Sequence, residues 1–378
     1  MRAAWHALMM VALGAASVAP ALADKRLVLI DQDGSGPGGS NQMSMMVLLQ
    51  SPQVEVLGIT MVTGNAWRDE EAQHTLRMLE LIGRADVPVA LGAVFPLVRT
   101  EQETRLASAL VGQVAWLGAW GQKLALAGSA GGAAGGAPIP ALPGPWEIPP
   151  LIEGTPHHAP IAEDAAHFLI RQVHAHPHQV TVYAAGPLTD IALAVAIDPH
   201  FAELAQTLVV MGGSLNPQTD DPEFASSPRH EFNFWFDPEA ARMVLRAHWA
   251  HIEVTTVDVS IKAMFTQAML DEIAKSGNPA ARYVAAYSQD RYYLWDELAA
   301  CAWLDPSIIT RRSQLYLDVD VSHGPAYGET LTWSDALKPA IDLQKVDAQL
   351  DVDLPRFTKM FVDLMSAPTP RPAARVSQ

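Results

Sequence analysis

An apolar run of mostly branched side chains, Leu27-Val28-Leu29-Ile30, ends in two carboxylates one residue apart, Asp31 and Asp33. A glycine-rich loop, Gly34-Ser35-Gly36-Pro37, follows. Such a run is long enough for a buried strand, and in an open α/β sheet ligands sit at the carboxyl ends of the strands. Carboxylates placed there can hold a hard cation or accept protons. A plainer reading, a solvated turn whose Asp and Gly only reverse the chain, stays open at this point. The G-x-G-x-x-G spacing of Gly34, Gly36 and Gly39 does not make a dinucleotide site, because the two preceding Asp would repel a pyrophosphate.

The rest of the chain alternates in the same way. Strand-like runs at 26–30, 54–62, 87–91, 180–184, 207–211 and 252–257 are separated by helical patterns at 41–50, 69–82, 162–174, 190–197 and 238–246. Residues 267–304 read as mainly helical, 312–321 as a late strand and 353–365 as a closing helix. This alternation predicts an α/β fold, with an open, mostly parallel central sheet and helices on both faces. Residues 125–150 are dominated by Gly, Ala and Pro and read as a flexible insertion, with Trp146 as its anchor. No clean linker or internal repeat divides the chain, so one domain is expected over 24–378.

Residues 1–23 have the layout of a secretory signal. Arg2 and His6 form a weak charged start, 7–18 is apolar, and Ala21-Leu22-Ala23 precedes Asp24 as a small-x-small cleavage site. The apolar stretch is too short to span a membrane. The mature protein is therefore expected to be exported, either periplasmic or secreted. Its single cysteine, Cys301, excludes an internal disulfide and sits in an apolar run, as a buried small hydrophobe would. With 25 Lys and Arg against 41 Asp and Glu, the chain lacks the cationic character that nucleic acids or anionic membranes would require. His174, His176 and His178 are interrupted by Pro177 and read as a solvated helix end. No H-E-x-x-H, paired C-x-x-C, G-x-S-x-G or Walker loop is present.

Other predicted strand ends carry polar groups. They are Thr60-Met61-Val62-Thr63-Gly64-Asn65, Gly186-Pro187-Leu188-Thr189-Asp190 and Met211-Gly212-Gly213. Glu231-Phe232-Asn233-Phe234-Trp235-Phe236-Asp237-Pro238 precedes a helix, and Trp295-Asp296-Glu297-Leu298 places acids in an apolar helix. Together with D-x-D at Asp31 and Asp33, this order resembles the nucleoside hydrolase family of the inosine-uridine-preferring type, over essentially the whole mature chain.

The resemblance implies hydrolysis of the N-glycosidic bond of ribonucleosides around a single Ca2+. It implies that Asp33 is both a metal ligand and the general base, that Thr189 donates its carbonyl oxygen to the ion, and that Asp296 is a further carboxylate ligand. Asn65, Glu231 and Asn233 would be ribose-side groups, with Asp31 supporting the first loop. Two departures stand out. Where the family has adjacent aspartates at the first helix start, this chain has Ser40-Asn41; Asn41 offers the metal one neutral oxygen, and Ser40 replaces a carboxylate that touches ribose. Trp295 stands where a His often protonates the leaving base, and a tryptophan there can stack on a purine. Two other readings stay open: a non-catalytic binder of nucleosides or ribosides, and a hydrolase of another riboside. The sequence also leaves homo-oligomerisation open.

Overall fold

The computed structural model describes residues 25–121, 142–289 and 291–370. The expected signal segment, and the 125–150 insertion up to residue 141, lie outside the described residues. The strands are β1 (Arg26–Gln32), β2 (Val54–Met61), β3 (Val89–Leu91), β4 (Val180–Ala185), β5 (Thr207–Met211), β6 (Ile252–Thr255), β7 (Ile309–Val319), β8 (Thr330–Trp333) and β9 (Lys345–Val352). They form one sheet in the order β3-β2-β1-β4-β5-β6-β9-β7-β8. From β3 through β9 every neighbouring pair is parallel. Only the β9–β7 and β7–β8 pairs at the far edge are antiparallel.

The strands read as continuous apolar runs because both faces are covered. Val28 and Ile30 enter one apolar core, while Leu29 enters the other. The first core includes the Ser40–Gln50, Arg68–Ile82, Trp295–Leu304 and Leu354–Ser366 helices. The second includes Ala165–Ala175, Thr189–Ile197 and Pro238–Arg246. All eleven residues of the Ser40–Gln50 helix are buried. It packs under the Trp295–Leu304 helix, so the starts of both helices are fixed against the end of β1.

Strands β8 and β9 and the Glu101–Val111 helix were not expected from the sequence pattern. In β9, buried polar residues break the apolar run. Asp347 Oδ2 accepts from Arg312 Nη1 at 2.6 Å, and Gln349 Oε1 accepts from Thr255 Oγ1 at 2.8 Å. Cys301 is fully buried, as its surroundings suggested. Trp146 sets its ring edge-on to Phe95 and anchors the described end of the insertion. No described helix is long and apolar enough to cross a membrane.

Candidate active site

The strand order reverses between β1 and β4, with β2 and β3 on one side and β5 and β6 on the other. Neighbouring connections diverge at such a point and leave a crevice at the carboxyl ends of the strands. Asp31 and Gln32 end β1 exactly at this crevice's base, and the strand pleat sends them to opposite faces. Asp31 turns with Leu29 toward the Thr189–Ile197 helix. Its Oδ1 accepts from Thr60 Oγ1 at 2.5 Å, and the buried Asp190 carboxyl lies near it. Asp31 thus braces the strand end from behind. Burial raises its pKa well above the usual carboxylate range, and the Asp190 charge adds to the effect. Asp190 is likewise pushed up by burial, to about 7.

Gln32 turns the other way and meets the two buried helix starts. Its Oε1 accepts from the Asp33 backbone N–H at 3.0 Å and from Asn41 Nδ2 at 2.9 Å. Its Nε2 donates to Ser44 Oγ at 3.0 Å and to Asp296 Oδ2 at 3.1 Å. Asp33 lies fully buried beside it. Asn41 Nδ2 donates to Asp33 Oδ1 at 2.7 Å, and the Asn65 backbone N–H donates to Oδ2 at 3.0 Å. Burial raises Asp33 well above the carboxylate range, the Asp296 charge adds to this, and the Asn65 N–H works against it. Burial also lifts Asp296, to about 7, against the lowering effect of the Gln32 bond.

Above this network opens a cavity of about 290 Å³. Its polar end is formed by Ser40, Asn41, Asn65, Glu231, Asn233 and Asp296, and its other walls include Trp116, Phe224, His230, Phe232 and Trp295. A concave site with an aromatic wall and a few convergent polar groups suits a small ligand that is part ring and part polyol. Asn65 Oδ1 accepts from Trp116 Nε1 at 2.7 Å, and Asn65 Nδ2 approaches Asn41 Oδ1 at 3.4 Å. Asn233 Nδ2 donates to the Met211 carbonyl at 3.1 Å, which leaves Oδ1 for the cavity. Glu231 caps the Phe232–Phe236 helix and accepts from the backbone N–H groups of Asn233, Phe234 and Gly213. Trp295 packs edge-on against Phe224 and Tyr293 while facing the cavity.

Ser40 takes the place expected for a ribose-side group but turns part of its capacity inward. Its Oγ donates to Glu297 Oε2 at 2.5 Å and accepts from the Asp296 N–H at 3.2 Å. Thr189 is not brought to the site. It begins its helix on the opposite side of the sheet, and its Oγ1 donates to Asp237 Oδ2 at 2.7 Å. The β4-end residue facing the cavity is Ala185, four positions earlier.

Sequence reasoning passed over Gln32, Trp116, His230 and Glu297. A polar residue between two acids at a strand end was the available signal for Gln32. Glu297, an acid next to another in an apolar helix, was the signal for the inward bond of Ser40. Burial and the nearby Arg99 lower His230 to about 4, so it is neutral at neutral pH and offers the cavity an N–H but no imidazolium.

The inosine-uridine preferring nucleoside hydrolase family matches residues 28–359, which carry every element of this site. The chain belongs to that family. It is therefore a hydrolase acting on nucleosides. It is 28% identical to "Probable uridine nucleosidase 2" of Arabidopsis thaliana, over 91% of this chain and 98% of the relative. It is also 28% identical to "Pyrimidine-specific ribonucleoside hydrolase RihA" of Klebsiella pneumoniae, over 90% and 96%. Among solved structures, the purine-preferring ribonucleoside hydrolase from Gardnerella vaginalis superposes with a TM-score of 0.68 at 21% identity, covering 90% of this chain and 98% of that one. That likeness bears on the fold.

The family's ion sets a test for this hydrolase's donor set. Calcium takes six to eight oxygens at roughly 2.3–2.6 Å. Asp33 Oδ1 and Gln32 Oε1 do converge on one point, but Asn41 presents its nitrogen there rather than its oxygen. Asp296 Oδ2 faces another amide nitrogen, that of Gln32, and Thr189 lies elsewhere. Among the described residues no three His, Cys, Asp or Glu side chains gather to hold a metal. Of the residues expected around calcium, Asp33, Asn41 and Asp296 are linked here through Gln32, and the Thr189 hydroxyl turns to Asp237. The side chains present, as arranged, do not fit the ion, because amide donors fill the space between the carboxylates.

Proposed function

We propose that this nucleoside hydrolase cleaves the N-glycosidic bond of ribonucleosides, with Asp33 accepting the proton of the attacking water and an aromatic wall gripping the base. The observation that carries the reading is the polarity of the cavity. Asn41, Asn65, Asn233 and Asp296 gather at one end, above Asp33, and Trp116, Phe232 and Trp295 stand as walls. Ribose hydroxyls suit the first group, and a flat heterocycle suits the second.

In the reaction the water oxygen bonds C1′, the C1′–N bond breaks with its electron pair leaving on the base, and the water proton passes to a carboxylate. A buried carboxylate with a raised pKa holds that proton better than an exposed one. Asp33 is covered by the Asn41 side-chain amide and the Asn65 backbone N–H. Catalytic contacts often tighten only with substrate, and both covering groups belong to the ribose end itself. Asp296 is the second carboxylate at this end, and in its ionised form it stabilises the cationic character that develops on ribose.

Trp295 cannot protonate the departing base. Stacking disperses its charge instead, which favours purines with their larger ring face. His230 adds a neutral N–H donor to the base-side wall. A non-catalytic reading is favoured by one observation only, that both Asp33 oxygens already hold donors. The export expected from residues 1–23 would place the reaction outside the cytoplasm.

The test is base release from a panel of purine and pyrimidine ribonucleosides, measured beside nucleoside binding by calorimetry. Release with higher kcat/KM on purines is expected. Binding without release would move the account to a binding protein.

A further inference from the structure

The pattern of donors and acceptors around Gln32 is fixed by a group that cannot be reversed. The Asp33 backbone N–H can only donate, and it points at the Gln32 side chain at 3.0 Å. Gln32 must therefore present Oε1 on that side, which sends Nε2 toward Ser44 Oγ and Asp296 Oδ2. Ser44 Oγ donates its own proton to the Asn41 carbonyl at 2.9 Å, so it is free to accept from Gln32. With Oε1 so placed, Asn41 turns its nitrogen inward, and Nδ2 donates to both Asp33 Oδ1 and Gln32 Oε1. Gln32 is fully buried and Asn41 is 8% exposed, so water cannot readily substitute for either amide.

We propose that the Gln32 and Asn41 amides stand in this chain where its family places a cation, joining Asp33 to Asp296 through N–H donors, and that the site works without a bound divalent ion. The chain of bonds runs from Asp33 Oδ1 to Asn41 Nδ2, from Asn41 Nδ2 to Gln32 Oε1, and from Gln32 Nε2 to Asp296 Oδ2. Both carboxylates are thus held by rigid, neutral donors. No described Lys, Arg or His makes an ion pair with either one. The loop also lacks the charge a calcium site relies on, since the residue at the helix start is Asn41 rather than an acid. The role of Gln32 is positional, setting the spacing and orientation of the two carboxylates from beneath the cavity, while Asn41 adds its hold on Asp33 to its place at the ribose end. The inference rests on the reading of this cavity as the nucleoside site, but it can be tested without turnover.

The experiment compares the full chain and Asn41→Asp for bound calcium by atomic emission, after dialysis against calcium chloride and then metal-free buffer. Thermal melting in EDTA and in millimolar calcium chloride is recorded for both. Wild type is expected to retain no stoichiometric calcium and to melt at the same temperature in both buffers. Asn41→Asp, which removes the inward N–H and supplies a charged oxygen, is expected to gain a calcium-dependent rise of several degrees. A rise of that size in wild type, or one calcium per wild-type chain, overturns the proposal. So does an Asn41→Asp protein that folds and shows no calcium response. If Asn41→Asp does not fold, the wild-type measurements decide alone. Base release in EDTA is followed in parallel: absence of turnover under every condition counts against the proposed hydrolysis and leaves the calcium result standing.

Discussion

Trp116 Nε1 donates to Asn65 Oδ1 across 2.7 Å. The bond ties the aromatic wall to the polar end of the cavity, because the same Asn65 donates its backbone N–H to Asp33. Trp116→Phe keeps a ring in the wall and removes only the donor. We predict a rise in KM of several-fold with a smaller change in kcat, consistent with the loss of one hydrogen bond of about 1 kcal/mol. Steady-state kinetics on a purine and a pyrimidine nucleoside check this, and an unchanged KM would remove Asn65 orientation from the account.

Ser40 and Glu297 form a second buried couple. Glu297 Oε2 accepts from Ser40, its Oε1 has no partner, and burial holds its pKa well above the carboxylate range. Ser40→Ala should destabilise the fold by about 1–3 kcal/mol, since it strips both Glu297 and the Asp296 N–H of a partner. Glu297→Gln should be tolerated near neutral pH, because the amide resembles the protonated acid. Urea denaturation of the two single variants tests the pair. Equal losses in both would mean that the carboxyl group is required in its ionised form.

The Asp31 and Asp190 carboxyls give the fold a pH dependence of known sign. Both are raised by burial, Asp190 to about 7. Between about pH 4 and pH 7 the folded state therefore binds more protons than the unfolded chain, and stability falls as pH rises through that window. Asn at position 190 cannot lose a proton, keeps an oxygen for the Ala93 N–H, and can donate to Asp31. Asp190→Asn should therefore be more stable than wild type at pH 8, by about 1–3 kcal/mol, with the difference shrinking toward pH 4. Thermal melts across that range measure it, and a difference that grew on acidification would reverse the assignment.

Much of the architecture was legible because its signals are local. Buried parallel strands read as apolar runs, and the run ending in Asp31 and Asp33 is β1, next to which the strand order reverses. Strand β9 was missed because Asp347 and Gln349 are buried through partners on other strands, which no window along the chain reveals. The site divides in the same way. Asp33, Asn41, Asn65, Glu231, Asn233, Trp295 and Asp296 follow strand ends or begin helices, so motif order gathers them. Trp116 comes from a stretch without periodicity and is placed by tertiary contact with Asn65. Thr189 shows the limit of motif adjacency: the turn before it reaches the cavity through Ala185, while Thr189 has already entered its helix. Gln32 was overlooked because its importance lies in what its two amide ends face, which only the structure displays.

The central claim is that the cavity hydrolyses nucleosides through Asp33. The most direct measurement is release of hypoxanthine from inosine and of uracil from uridine, followed by liquid chromatography for wild type and Asp33→Asn at matched folded concentration. The account predicts release of free base by wild type, and a loss of at least about 10²-fold in Asp33→Asn with the melting temperature largely retained. Equal rates in the two proteins, or no base from a wild-type protein that binds both nucleosides, would contradict it.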